Sequence, residues 1–89
     1  MFGRSKKKHQ ETTTLVCDIT QEFLTKRGIE QPFTLDNTLS QTGIGLDSIG
    51  RMELFAELER RCQVQIPERH WEAKTMTLRQ LVKLINKGR

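Results

Sequence analysis

Tyrosine is absent from this chain of 89 residues, tryptophan occurs once and proline twice. Aromatic residues make up only 6%, so any core must be mainly aliphatic. No apolar run approaches the roughly 20 residues that span a bilayer as a helix. The N-terminus is basic, but no apolar stretch of the signal-peptide kind follows it, so export is not expected. Cys17 and Cys62 are too few for a disulfide framework, and together with His9 and His70 they lack metal-site spacing. Both cysteines are expected as reduced thiols in a cytoplasmic protein, Cys62 as a small core residue. No glycine loop of the phosphate-cradling strand-to-helix type occurs. With His9 near the N-terminus and His70 alone, no catalytic triad can be assembled. The chain is not expected to be an enzyme.

Length fits one small domain, whose core is marginal but feasible without disulfides or metal. The formal charge is +4, and its distribution says more than its sum. Arg4, Lys6, Lys7 and Lys8 come before any acid, and the rest of the chain holds 11 basic and 11 acidic residues. Residues 1–11 read as a basic disordered tail on a balanced domain over 12–89. A tail of this kind can contact nucleic acid or an anionic membrane, but no aromatic residues interleave its lysines.

Within the domain, Leu15, Val16, Ile19 and Phe23 recur at helical spacing. Thr12 to Thr14 offer capping hydroxyls, and Lys26, Arg27 and Gly28 form a helix end. Cys17 falls on the opposite face and is expected to be exposed. From Ile29 to Leu46 no period holds, and Pro32, Asp36, Asn37, Gly43 and Gly45 punctuate the stretch. A loop this long in a small domain should be functional or pinned to the core; Phe33, Leu35, Leu39 and Ile44 are the candidate pins. A helix is then expected from Ser48 to about Cys62, with Leu54, Phe55, Leu58 and Cys62 facing inward. Ile49, Glu53, Ala56, Glu57 and Arg60 lie on another side, mixed in character and suited to a partner. Val64 and Ile66 alternate before Pro67, and a short helical turn is expected around Trp71. Leu78, Leu81, Val82 and Ile85 mark a last helix, opened by a capping box of Thr77 and Gln80. The sum is a small all-α bundle of three main helices, one short helix and a long first loop.

Asp47 and Ser48 stand where the glycine-punctuated loop becomes a helix. Either is a good N-cap. The free N–H groups and dipole of a helix N-terminus also stabilise an anion such as a phosphate ester. The residue types alone are compatible with a cap and with a serine that is modified.

The segment "GLDSIGRMELFAELERRCQVQIP" resembles the core of the acyl carrier protein family. It has Asp47-Ser48-Ile49, then Glu53-Leu54, then Ile66-Pro67, with no gap from Ser48 to Pro67. The order of helix, long loop, helix, short helix and helix over about residues 12–87 is similar to the family's architecture. The resemblance implies that Ser48 carries 4′-phosphopantetheine as a phosphodiester, delivered from coenzyme A by a phosphopantetheinyl transferase. Asp47 would be read by that enzyme. The arm's thiol would hold an acyl group as a thioester for synthases, ligases or acyltransferases, as in fatty-acid or polyketide synthesis. Ile49, Arg51, Met52, Glu53, Ala56 and Glu57 would meet partners. The family's recognition helix is usually strongly acidic, whereas here Gly50 and Arg51 follow Ile49, and Arg60-Arg61 end the helix. This departure implies a specialised free-standing carrier in secondary metabolism or lipid modification, monomeric and without membrane insertion. Asp before the serine, rather than the His common in peptidyl carriers, favours acyl cargo. The alternatives are an aminoacyl carrier of the D-alanyl or peptidyl type, and a basic adaptor binding nucleic acid through its tail.

Overall fold

The computed structural model describes residues 2–70 and 75–88, with residues 2–9 described by their backbone alone. Three α-helices and one 3₁₀ turn follow in order: α1 Phe2–Lys26, α2 Ser48–Cys62, the turn Glu68–His70, and α3 Leu78–Gly88. No strand forms among the described residues; the nearest approach is a single antiparallel bridge, Thr38 to Thr77. The expected all-α bundle is the observed architecture. Trp71 lies outside the described residues, so the short turn expected around it is seen only as Glu68–His70.

The first helix is longer than its apolar pattern. Helical backbone begins at Phe2, so residues 2–11 continue α1 instead of forming a separate tail. After Gly3 no glycine or proline interrupts the chain until Gly28, and Lys, Gln and Glu are good helix formers. The threonines at 12–14 are consequently inside the helix and do not cap it. Thr12 is buried, and its hydroxyl donates to Asn86 Oδ1 of α3 at 2.8 Å. Val16, Ile19 and Leu24 are fully buried, while Leu15 and Phe23 pack partly against the core. Cys17 is half-buried against that core too, contrary to the exposed position its helical phase suggests. Gly28 ends the helix with φ +78°, the left-handed geometry a glycine adopts without steric cost.

The long loop is pinned on two sides. Leu39, Ile44 and Leu46 are fully buried, and Phe33 and Leu35 pack partly against the same cluster. Its backbone is bonded to the start of α3: Leu39 N–H donates to Met76 O (3.0 Å), Leu78 N–H to Asn37 O (3.0 Å), and Arg79 N–H to Leu35 O (2.7 Å). A Cβ on Gly43 would overlap the Thr38 carbonyl oxygen, so only glycine allows the loop to fold back this tightly. The expected capping box opens α3. Gln80 Oε1 accepts from Thr77 N–H at 2.9 Å, and Thr77 Oγ1 accepts from Gln80 N–H at 3.2 Å.

Helix α2 runs from Ser48 to Cys62, the span its pattern predicts, with Leu54, Phe55, Leu58 and Cys62 buried. Phe55 is the one aromatic ring among the fully buried side chains described. The helix ends at Gln63, which takes φ 55° and ψ 47° and donates its N–H to Glu59 O. Val64 and Ile66 are buried beyond it, and Glu59 Oε2 accepts from Ile66 N–H at 2.7 Å. One acid of α2 is thereby used to fix the chain after the helix.

Candidate functional site

Asp47 is the N-cap of α2, with extended backbone and a carboxylate Oδ1 that accepts from Gly50 N–H at 2.7 Å. Its own carbonyl accepts from Arg51 N–H at 2.9 Å. Ser48, the first helical residue, is exposed. The two residues divide the work that the sequence left open: Asp47 caps and Ser48 is free to be reached. Gly50 fits this cap closely. A Cβ there would lie 3.1 Å from Leu46 Cδ2 and 3.2 Å from Asp47 Oδ1. The glycine that costs helix propensity thus leaves room for the cap carboxylate.

Beside Ser48 an open cleft of about 400 Å³ is lined by Ser40, Gln41, Thr42, Leu46, Asp47, Ser48 and Arg51. One wall is the loop, where Thr38, Ser40 and Thr42 form a chain of hydroxyl contacts at 2.9 and 3.0 Å. The other wall is the first turn of α2. Sequence reasoning placed none of residues 40–42 at the site, because no local period connects a loop to the helix it touches.

Arg51 corrects an expectation. It is only 5% exposed, so it does not belong to the outer face of α2 that a partner would meet. It stands three and four residues before Leu54 and Phe55, on the buried stripe. That register was the available signal, and the charge masked it. Its Nε is buried without a hydrogen-bond partner among the described residues.

Of the other expected partner-facing residues, Ile49 is 65% and Met52 49% exposed, and Ala56 is exposed as well. At positions i, i+3 and i+7 they form one short apolar stripe. The acids beside it are already paired within the chain. Glu53 Oε2 lies 2.6 Å from Arg27 Nη1, and Glu57 Oε2 lies 2.7 Å from Arg60 Nη2. A further cross-helix pair joins Arg61 to Glu22 at 2.6 Å. The Arg61 hydrogen bond, then its charge, holds the Glu22 carboxyl below the usual carboxylate range. Burial, then the nearby Asp18 carboxylate, pushes the Cys17 thiol up. No group of His, Cys, Asp and Glu among the described residues is placed to hold a metal ion. No helix among them is long and apolar enough to cross a membrane.

A capped helix start with an exposed serine, beside a cleft on an all-helical bundle, defines a carrier-type domain. The family model described as "Phosphopantetheine attachment site" matches residues 13–85, and the chain belongs to that family. Neither the curated proteins nor the solved structures compared with it include a significant match. A domain of this family is the attachment site for covalent 4′-phosphopantetheine and acts as a carrier. Such domains meet phosphopantetheinyl transferases and acyl-processing enzymes. The residues present fit the group. An exposed hydroxyl stands at a helix N-terminus, where an anion is stabilised, and the buried Arg51 Nε, on the same cleft, has no acceptor among the described residues. When bound, the arm supplies a thiol that holds cargo as a thioester.

Proposed function

We propose that this chain is a specialised acyl carrier whose arm is attached at Ser48. The reading rests on one observation above others: Ser48 is exposed at the first position of α2, held there by the Asp47 cap. A transferase can reach the hydroxyl without unfolding the helix, and the phosphodiester then sits at the positive end of the helix dipole. The chain performs no chemistry on the cargo; it is a substrate of the transferase and of acyl ligases, synthases or acyltransferases.

Its partners are those of secondary metabolism or lipid modification rather than of housekeeping fatty-acid synthesis. What supports this is the low net charge of the α2 face. Glu53 and Glu57 are paired with arginines of the same chain, which leaves Ile49, Met52 and Ala56 as the main contact. Partners that recognise a carrier by its acidic helix gain little from this surface, since charge complementarity sets encounter rate and specificity. A monomer in the cytoplasm suits the reading, because there its two thiols stay reduced.

Incubation with coenzyme A and a broad-specificity phosphopantetheinyl transferase tests the attachment. Intact mass should rise by one arm in the wild type. Ser48→Ala should keep its helicity and gain nothing. Labelling of that variant, or no labelling of the wild type with several transferases, would sink the reading. Intact mass of the protein from its native host then identifies the cargo, and an aminoacyl group would replace the acyl assignment.

A further inference from the structure

We propose that Arg51 holds the phosphate of the arm, donating from its guanidinium to the phosphodiester on Ser48. The inference rests on the attachment at Ser48 argued above and assigns a binding residue to it. Three observations lead there. Arg51 follows Ser48 by three residues, so the two side chains share one side of α2. Both line the same cleft, with Ser40 and Thr42 opposite. Arg51 is 5% exposed, and its Nε has no acceptor among the described residues.

The Nε–H of that guanidinium is buried and has no acceptor among the described residues. A buried cation is ordinarily paired, since removal from water is otherwise uncompensated. The ion pairs seen among the described residues use Arg27, Arg60, Arg61 and Arg79; none uses Arg51. Asp47 lines the cleft too, but its Oδ1 is committed to Gly50 N–H and it forms no ion pair with Arg51. A phosphodiester brings one negative charge and oxygens that accept in the planar geometry that guanidinium donors favour. Fixing the phosphate would also fix the root of the arm against the loop wall, leaving the thiol end to move. Arg51 is in this sense a positioning residue. It makes no bond to cargo.

Nuclear magnetic resonance of the full chain, before and after loading, decides the matter. The Arg51 Nε–H signal, assigned by its loss in Arg51→Lys, should shift downfield and exchange more slowly with water once the arm is attached. The phosphorus resonance of the loaded protein should move in Arg51→Met, which keeps the stem length, and move less in Arg51→Lys. Mass spectrometry on the same samples separates two kinds of failure. If the wild type does not load, the carrier reading falls and this assignment with it. If wild type and Arg51→Met both load, yet neither the Nε–H signal nor the phosphorus resonance changes, the assignment alone is wrong. Should Arg51→Met fail to fold, the Nε–H comparison of unloaded and loaded wild type decides on its own.

Discussion

Arg27 reaches from the end of α1 to Glu53 of α2 with its Nη1 2.6 Å from the carboxylate Oε2, and its guanidinium also lies 5.3 Å from the ring centre of Phe23. The acid that a carrier's partner would read is thus engaged before any partner arrives. Both groups are partly exposed, so the pair contributes little to stability, at most about 1 kcal/mol. Arg27→Ala should therefore leave the thermal midpoint nearly unchanged while freeing Glu53. Transfer rates with enzymes that carry a basic docking surface should rise, and the gain should vanish at high salt. Unchanged rates at low salt would show that Glu53 takes no part in docking.

Ile49 and Met52 carry the opposite expectation. Placing Lys at either position should leave the fold intact, since both side chains face solvent. Turnover of preloaded protein by its true partner should fall by about tenfold or more, equivalent to roughly 1.4 kcal/mol of lost contact. Equal turnover by wild type and both variants would place the docking surface elsewhere.

The cap at α2 can be measured apart from the arm. Asp47→Ala removes the bond to Gly50 N–H and should cost about 1 kcal/mol in denaturant unfolding. Gly50→Ala would ordinarily stabilise a helix by about 1 kcal/mol. Here the added methyl meets Leu46 and the Asp47 carboxylate at 3.1 and 3.2 Å, so the gain should be absent or reversed. A full gain would mean that the cap tolerates displacement.

Gln63 sits in left-handed backbone at the end of α2, a conformation that costs a residue with a Cβ about 1 kcal/mol. Gln63→Gly relieves it and should raise the unfolding free energy by up to about 1 kcal/mol. A midpoint that falls would show that glycine's added freedom in the unfolded chain outweighs the relief.

The thiols should react in a fixed order. Cys62 is 7% exposed, and Cys17 is half-buried with its pKa raised by burial and then by Asp18. At neutral pH less of Cys17 is thiolate than in a free cysteine, and thiolate is the nucleophile. Iodoacetamide should alkylate Cys17 more slowly than a small free thiol, and Cys62 more slowly still. In loaded protein the arm's terminal thiol should then react first. Rapid labelling of unloaded protein would contradict the burial of both side chains.

Much of this was legible in the residues. The α2 boundaries, the Thr77–Gln80 box and the pins Leu39 and Ile44 follow from period, cap chemistry and the scarcity of apolar residues in the loop. What escaped was of two kinds. Arg51 obeys the buried register of Leu54 and Phe55, but an ionic side chain is read as surface, and only the cleft beside Ser48 explains the exception. The hydroxyl wall at Ser40 and Thr42 follows a stretch whose backbone bonds, Leu39 N–H to Met76 O and Leu78 N–H to Asn37 O, are long-range and leave no periodic trace. The helical backbone of residues 2–11 was hidden by charge, since four cations near a helix N-terminus oppose its dipole and suggest a tail.

The loop's attachment to the start of α3 has a consequence for the order of synthesis. The partners that fix Leu35, Asn37 and Leu39 are Arg79, Leu78 and Met76, made some forty residues later in the chain. On a ribosome, the loop's backbone bonds to residues 76–79 cannot form until those residues have left the exit tunnel, and until then the wall facing Ser48 has only local backbone bonds such as Ile44 N–H to Thr38 O and Gly45 N–H to Ser40 O. A growing chain therefore already contains its serine and its cap while still lacking the finished cleft. Residues 76–79 complete the wall, so a chain cut short before Met76 would present Ser48 beside a loop that keeps its local backbone bonds and lacks those to residues 76–79.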